Sequence, residues 1–270
     1  MNRKILHAAL ALAVLPCSGI AALAQDAADT APTEPGVIQE FEIDRSDRMT
    51  VPVQVNGSIA VPFVVDTGSE RTVIANDLAK RLALELGPRL TLATISGQTQ
   101  VDSYFISKLT SAAVSLEDLE APGLERANLG AYGLLGIDSL EDSRVLLDFA
   151  NHRMEVLPSQ RKKGRTRIEN GMIVVNATKR AGRMIISTAK IDGVRVEIIL
   201  DTGAQASMGN FALRDRLRKR HLRFDYLPVK MKGVTGKELH GDFSQIKEIK
   251  IGSFNVANLP VTFADNYAFH

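Results

Sequence analysis

The tripeptide Asp-Thr-Gly occurs twice, at 66–68 and 201–203, and each copy closes an apolar run: Phe63-Val64-Val65 before the first, Ile198-Ile199-Leu200 before the second. At average residue frequencies one such tripeptide is expected about 0.05 times in a chain of this length, so a pair is no accident. The apolar runs read as buried strands. The tripeptide then sets a carboxylate, a hydroxyl and a residue without Cβ on the tight turn that follows. Each half of the chain therefore delivers one acid to the end of a core strand.

The repeat extends beyond the tripeptides. Residues 49–65 alternate, turn at Asn56-Gly57 and alternate again, the pattern of a β-hairpin; residues 184–200 do the same around Asp192-Gly193. Met49 and Met184 each lie 17 residues before their aspartate. After each acid the spacing predicts a short helix: Ile74, Leu78 and Leu82 behind a capping Asn76 or Asp77, and Leu213 with Leu217. Those leucines are core. A glycine-containing polar hairpin comes next in both halves, Ser96-Gly97-Gln98-Thr99 and Gly233 to Lys237, with Gly97 31 residues beyond Asp66 and Gly233 32 beyond Asp201. Pattern alone makes these ordinary turns. Tyr132 to Leu140, YGLLGIDSL, reads as a buried strand and turn, with a helical start at Ser139-Leu140. The strands VLLDF and HRMEVL finish the first half near Pro158.

This doubled arrangement resembles the aspartic peptidases of the pepsin and retropepsin type, in which two lobes or two subunits each contribute one Asp-Thr-Gly loop to a shared active site. The resemblance covers about two thirds of the chain. It implies an all-β, bilobal fold with short helices and retropepsin-sized lobes, at 38–158 and 169–270. It implies an aspartic endopeptidase acting on a peptide or protein substrate, with Asp66 and Asp201 as the catalytic pair. Thr67 and Thr202 would lock the two loops together, and Gly68 and Gly203 would let backbone approach the carboxylates. Gly97, Gly233 and Gly236 fall in the two hairpins that would act as flaps, although no tyrosine stands beside Gly97 as in pepsin-like flaps. Ser69 stands where its hydroxyl could reach Asp66, whereas the matching Ala204 has none, so the two acids are expected to be unequal.

The pairing carries the chemistry. Two like charges brought within a few ångströms cannot both ionise easily, so one proton is shared. The ionised member can accept a proton from a water while the protonated member donates to the scissile carbonyl. Neither metal nor cofactor is implied: the sequence has no CxxC, no HExxH and no phosphate-binding glycine loop. A peptide-binding module that keeps the cleft but not the hydrolysis is the alternative. A two-carboxylate glycosidase fits less well, since acids on paired turns sit too close and too symmetrically.

Composition narrows the rest. With 45% apolar and 24% charged residues the chain is an ordinary globular one. Residues 1–24, with Arg3 and Lys4 before an apolar run from Ile5 to Leu15 and a closing Ala22-Leu23-Ala24, read as a signal peptide, which points to export to the periplasm or beyond. The run is too short to span a bilayer, and Pro16 beside Cys17 argues against a lipid anchor, so no stable membrane attachment is expected after cleavage. Cleavage removes the single cysteine and leaves 31 basic against 31 acidic residues. A neutral chain without tryptophan offers no general nucleic-acid surface. Residues 25–37 read as a flexible leader and 159–168, SQRKKGRTRI, as a basic linker.

The two halves differ at one place. Gly136 lies 70 residues after Asp66, and the position 70 after Asp201 would be 271. The second lobe is therefore expected to lack its counterpart of LLGIDSL and of the closing strands and to be marginal, either as a C-terminally shortened version of a longer protease or as a lobe that another chain, such as a second copy in a homodimer, completes.

Overall fold

The computed structural model describes residues 7–10, 36–140, 143–158, 167–169, 172–174, 178–180, 183–220, 225–252 and 254–266. They build two sheets of seven and eight strands, each with its own apolar core, and three small sheets. The fold is mostly β in two lobes with few short helices.

Strand β1 (His7–Leu10) precedes both lobes in sequence but lies in the second sheet. The first lobe opens with β2 (Val37–Glu40), β3 (Glu42–Ile43) and β4 (Met49–Val55). In β4, Val51, Val53 and Val55 are buried while Pro52 and Gln54 are exposed, the period of a strand with one covered face. Asn56 and Gly57, at φ 50° and 72°, make the left-handed turn that suits a tight hairpin and lead toward β5 (Val61–Val65). Phe63, Val64 and Val65 are all buried. Both faces of this strand are covered, which is why its sequence is continuously apolar.

Next come β6 (Val73–Ala75), α1 (Asn76–Arg81), the hairpin β7 (Leu90–Thr94) and β8 (Gly97–Val101), and the long pair β9 (Ser103–Thr110) and β10 (Ser115–Leu124). After α2 (Arg126–Leu129), β11 (Gly133–Leu135) threads between β5, to which it is parallel, and β6, to which it is antiparallel. The carbonyl of Leu135 accepts the Asp66 N–H at 2.9 Å. The strand that closes the sheet thus also pins the start of the Asp66 loop. A 3-10 turn over Ile137–Leu140 follows. Then β12 (Ser143–Asp148) and β13 (Arg153–Pro158) form a small sheet with β2.

The expected cap of α1 is corrected. Its N-cap is Ala75, with no side-chain cap bond, and Ile74 lies in β6 rather than in the helix. Pairing of β6 with β10 and β11 holds the chain extended up to Ala75. Asn76 is drawn aside, its amide donating to the Glu125 carboxylate at 2.7 Å.

Between the lobes, β14 (Arg167–Glu169) pairs with β15 (Met172–Val174). The expected linker therefore gives way to strand at Arg167, and residues 159–166 lie outside the described residues. The second lobe runs through β16 (Thr178–Arg180), β17 (Arg183–Ile191), β18 (Val194–Leu200), β19 (Met208–Asn210), α3 (Phe211–Lys219), β20 (Leu227–Lys232), β21 (Glu238–Ile251) and β22 (Phe254–Ala264). Asp192-Gly193, at φ 45° and 79°, makes the two-residue turn between β17 and β18. Asn210 caps α3 by accepting the Leu213 N–H at 2.9 Å, and Leu213 and Leu217 are fully buried against the sheet.

The sheet order is β16-β17-β18-β1-β19-β22-β21-β20. Among the described residues the place beside β18 is held by β1, so the expected gap at that point is corrected. Among the described residues no counterpart of the β12–β13–β2 sheet is seen on the second lobe. The rest of the expected signal peptide, and the leader up to residue 35, lie outside the described residues.

Candidate active site

β5 and β18 each end on an aspartate, and the two following turns meet. The Thr67 hydroxyl donates to the carbonyl of Leu200 at 2.7 Å, and the Thr202 hydroxyl donates to the carbonyl of Val65 at 2.6 Å. In return the Thr202 N–H donates to the Thr67 hydroxyl at 3.1 Å, and the Thr67 N–H donates to the Thr202 hydroxyl at 3.2 Å. Each threonine thus bonds to the last strand residue of the opposite lobe. Thr67 is 2% exposed, so these bonds are shielded from water and hold the loops in one register.

This crossing brings the acids together. Asp66 and Asp201 share a side-chain hydrogen bond. Asp66 Oδ1 accepts the N–H of Gly68 at 2.9 Å and of Ser69 at 3.0 Å, and Asp201 Oδ1 accepts the N–H of Gly203 at 2.9 Å. Gly68 lies against the carboxyl of Asp201 and Gly203 against that of Asp66, so a Cβ at either position would occupy carboxylate space. The glycines are required by this close approach rather than by unusual backbone angles.

The electrostatics follow. Burial pushes Asp66 well above the ordinary aspartate range, and the neighbouring Asp201 charge and hydrogen bond push it further, against the pull of the Gly68 and Ser69 N–H groups. Burial also raises Asp201, but there the bond from Asp66 and the backbone N–H groups of Gly203 and Ala204 work the other way. Both acids are thus raised, Asp66 further than Asp201, and two carboxyls in contact titrate as one pair that favours a single shared proton.

Ser69 departs from expectation. Its hydroxyl donates to the carbonyl of Arg71 at 2.8 Å, and it is its backbone N–H that meets Asp66. The tight turn after Asp66 points the side chain along the chain instead of back at the acid. The inequality of the two acids therefore does not come from that hydroxyl.

Two supporting residues escape the sequence reading. Asp138 accepts the Thr72 N–H at 2.8 Å and the Thr72 hydroxyl at 2.7 Å, while that hydroxyl also receives the Gly136 N–H at 3.2 Å. The Ile137 N–H donates to the carbonyl of Ser69 at 2.9 Å. The turn after β11 thereby clamps the far end of the Asp66 loop. An acid directly after Leu-Leu-Gly-Ile was the available signal.

The hairpins carrying Gly97, Gly233 and Gly236 meet tip to tip. Lys237 Nζ donates to the carbonyl of Gln98 at 2.8 Å, and the hydroxyls of Ser96 and Thr235 lie 3.5 Å apart. Gly97 and Gly236 take φ 108° and 82° in these turns. Each tip also reaches the opposite lobe: Val234 packs on the first core, and Ile95 packs with Met231 and Leu239 on Ile199, Met208 and Ala264. Sequence reading picked both hairpins but neither the contacts between their tips nor Ile95. Among the described residues no cluster of three or more His, Cys, Asp or Glu could hold a metal ion, and no helix is long and apolar enough to cross a membrane.

Each lobe is matched by a family of known proteins. Residues 51–142 match the family described as "gag-polyprotein putative aspartyl protease", and residues 187–268 match the family described as "Aspartyl protease". Among solved structures the chain is similar to a retropepsin-like aspartic protease from Rickettsia conorii, at 16% identity and a TM-score of 0.33, over 45% of this chain and 89% of that one. No curated protein is matched.

Proposed function

We propose that this chain, a two-lobe protein of the retropepsin-like aspartic peptidase type, hydrolyses internal peptide bonds with Asp66 and Asp201 as one acid/base pair. The observation that carries the reading is the pair of buried carboxyls held in hydrogen-bond contact by the crossed threonines. A water between the carboxyls loses a proton to the ionised member as its oxygen attacks the scissile carbonyl, and the protonated member donates to the carbonyl oxygen. The tetrahedral diol then collapses: a hydroxyl proton returns to one carboxylate, the other carboxyl protonates the departing nitrogen, and the pair regains its starting proton count.

The substrate is an extended peptide lying between the hairpin tips and the aspartates, where backbone hydrogen bonding is available along strand edges. Entry requires the tips to part. Their polar contacts include the exposed Lys237 bond and the long Ser96–Thr235 hydroxyl contact, each contributing about 1 kcal/mol or less, and bound peptide has to offset these together with the packing of Val234 and Ile95.

The test is hydrolysis of a denatured protein across acidic to neutral pH by the wild type, Asp66→Asn and Asp201→Asn, with a pepstatin-type inhibitor as a second arm. Cleavage by the wild type alone supports the reading. Peptide binding without cleavage in all three would instead favour a silent binding module.

A further inference from the structure

The strand that completes the second lobe comes from the other end of the chain. β1 is parallel to β18, with Ala8, Ala9 and Leu10 opposite Ile198, Ile199 and Leu200, and antiparallel to β19, with Ala8 opposite Gly209 and Ala9 opposite Met208. In the first lobe, β11 pairs Leu134 and Leu135 with Val64 and Val65 in parallel, and Gly133 and Leu134 with Ile74 and Val73 in antiparallel. Counted from the two aspartates the registers coincide: Leu200 and Val65 are each one residue before the acid, Met208 and Val73 each seven after it. Ala8, Ala9 and Leu10 therefore hold the places of Gly133, Leu134 and Leu135.

Neighbouring pairings repeat as well. β22 runs parallel to β19, as β10 does to β6. In the first lobe the chain then turns through α2 and returns as β11. In the second the same slot is occupied from a segment nearly two hundred residues earlier in the chain.

We infer that residues 7–10 are the built-in closing strand of the second lobe, and that the Asp201 loop depends on them as the Asp66 loop depends on β11. Without β1, the facing edges of β18 and β19 would have no partner in the middle of a sheet. Ile198 is fully buried and Ile199 is 4% exposed; backbone N–H and C=O groups left unpaired at such a depth are strongly unfavourable. Leu10 pairs with Leu200, whose carbonyl receives the Thr67 hydroxyl at 2.7 Å. Movement of β1 would thus reach the crossed threonines directly.

The same segment lies in the apolar run that reads as an export signal. An apolar stretch suited to a signal is equally suited to burial inside a sheet. Removal of residues 1–24 would therefore take a central strand with it and open a slot between β18 and β19, one residue from the Asp201 loop. Full-length and processed chains are two different states of the second lobe.

A cross-link in the full chain tests the occupant. In a Cys17→Ser background, Ala9→Cys with Met208→Cys places two thiols on directly opposed residues. Oxidation with diamide should give an intramolecular 9–208 disulfide, identified by peptide mass, in most monomers. Ala9→Cys with Val73→Cys, the matching place in the first lobe, should give none. Covalent dimers through 9 and 208, or equal yields from both pairs, overturn the inference. Amide exchange gives an activity-free second reading. Ala9→Pro in the full chain, which removes a ladder N–H, should speed exchange at 198–200 and 208–210 at least tenfold and leave 64–65 and 73–74 unchanged. Unchanged exchange at 198–200 also overturns it, and should Ala9→Pro not fold, the cross-link decides.

Discussion

The two lobes present nearly identical loops to each other and support them differently. At the centre, Thr67 and Thr202 make the same bonds in opposite directions, and Gly68 and Gly203 pack against opposite acids. Behind the centre, the first loop is backed by β11 and by the Asp138–Thr72 clamp, all from its own lobe. The second loop is backed by β1, and the place of Thr72 is taken by Ser207, whose carbonyl accepts the Thr262 N–H at 3.0 Å. Symmetry thus holds where the two loops meet, and is relaxed where any strand of the right register will serve.

The largest expected effect is at the acids. Asp66→Asn and Asp201→Asn should each lower peptide hydrolysis by at least 10²–10⁴-fold, the range for losing a positioned acid or base. Stability should respond oppositely. A carboxyl whose pKa is raised by folding binds its proton more tightly folded than unfolded, so its contribution is fully present below the ordinary value of 3.8 and is lost as pH rises through the folded value. Asp66→Asn should therefore flatten the fall in stability from pH 4 upward, measured by urea unfolding at several pH values. An unchanged slope would mean that the pair does not share a proton.

Next are the threonines. Thr67→Val or Thr202→Val removes a donor to a carbonyl of the other lobe and an acceptor for an N–H, and should destabilise by roughly 2–4 kcal/mol. The two values should agree within about 0.5 kcal/mol because the bonds mirror each other. A large difference would show that the symmetry is only geometric.

The supports should then separate the lobes. Thr72→Val leaves the Asp138 carboxylate only its backbone donor and the Gly136 N–H without its acceptor, for roughly 2–3 kcal/mol. Ser207→Ala should stay under about 1 kcal/mol. Equal losses would remove the distinction drawn between the two backings.

Much of this was legible because it is local. Asn56-Gly57, Asp192-Gly193 and the doubled acid at a strand end are all encoded within a few residues. The all-β two-lobe fold was implied by the family resemblance that the repeated tripeptides carry. What escaped depends on competition or on distance. Ile74 fits helical spacing with Leu78, yet strand pairing on both sides claims it. Asn76 fits a cap, yet Glu125, 49 residues away, takes its amide. The Ser69 hydroxyl had two acceptors within reach, and the turn geometry chose Arg71. Asp138 meets Thr72 across 66 residues, and β1 meets β18 across nearly the whole chain. No local pattern states such a pairing.

The smallest effect expected is at the hairpin tips, where the lobes exchange roles. Lys237 from the second lobe donates to a backbone carbonyl of the first, and the side chain is exposed. Lys237→Met keeps the length and apolar stem but removes the donor, so stability should change by less than about 0.5 kcal/mol. The kinetic effect is separable. A tip bond that closes the hairpins over bound peptide serves the ground and transition states alike, so its loss should raise KM about two- to threefold and leave kcat unchanged. Lys237→Arg, which retains a donor of similar reach, should restore KM. A fall in kcat in Lys237→Met would place the tip contact in the chemical step instead, and the two hairpins would then differ in function as the two backings differ in origin.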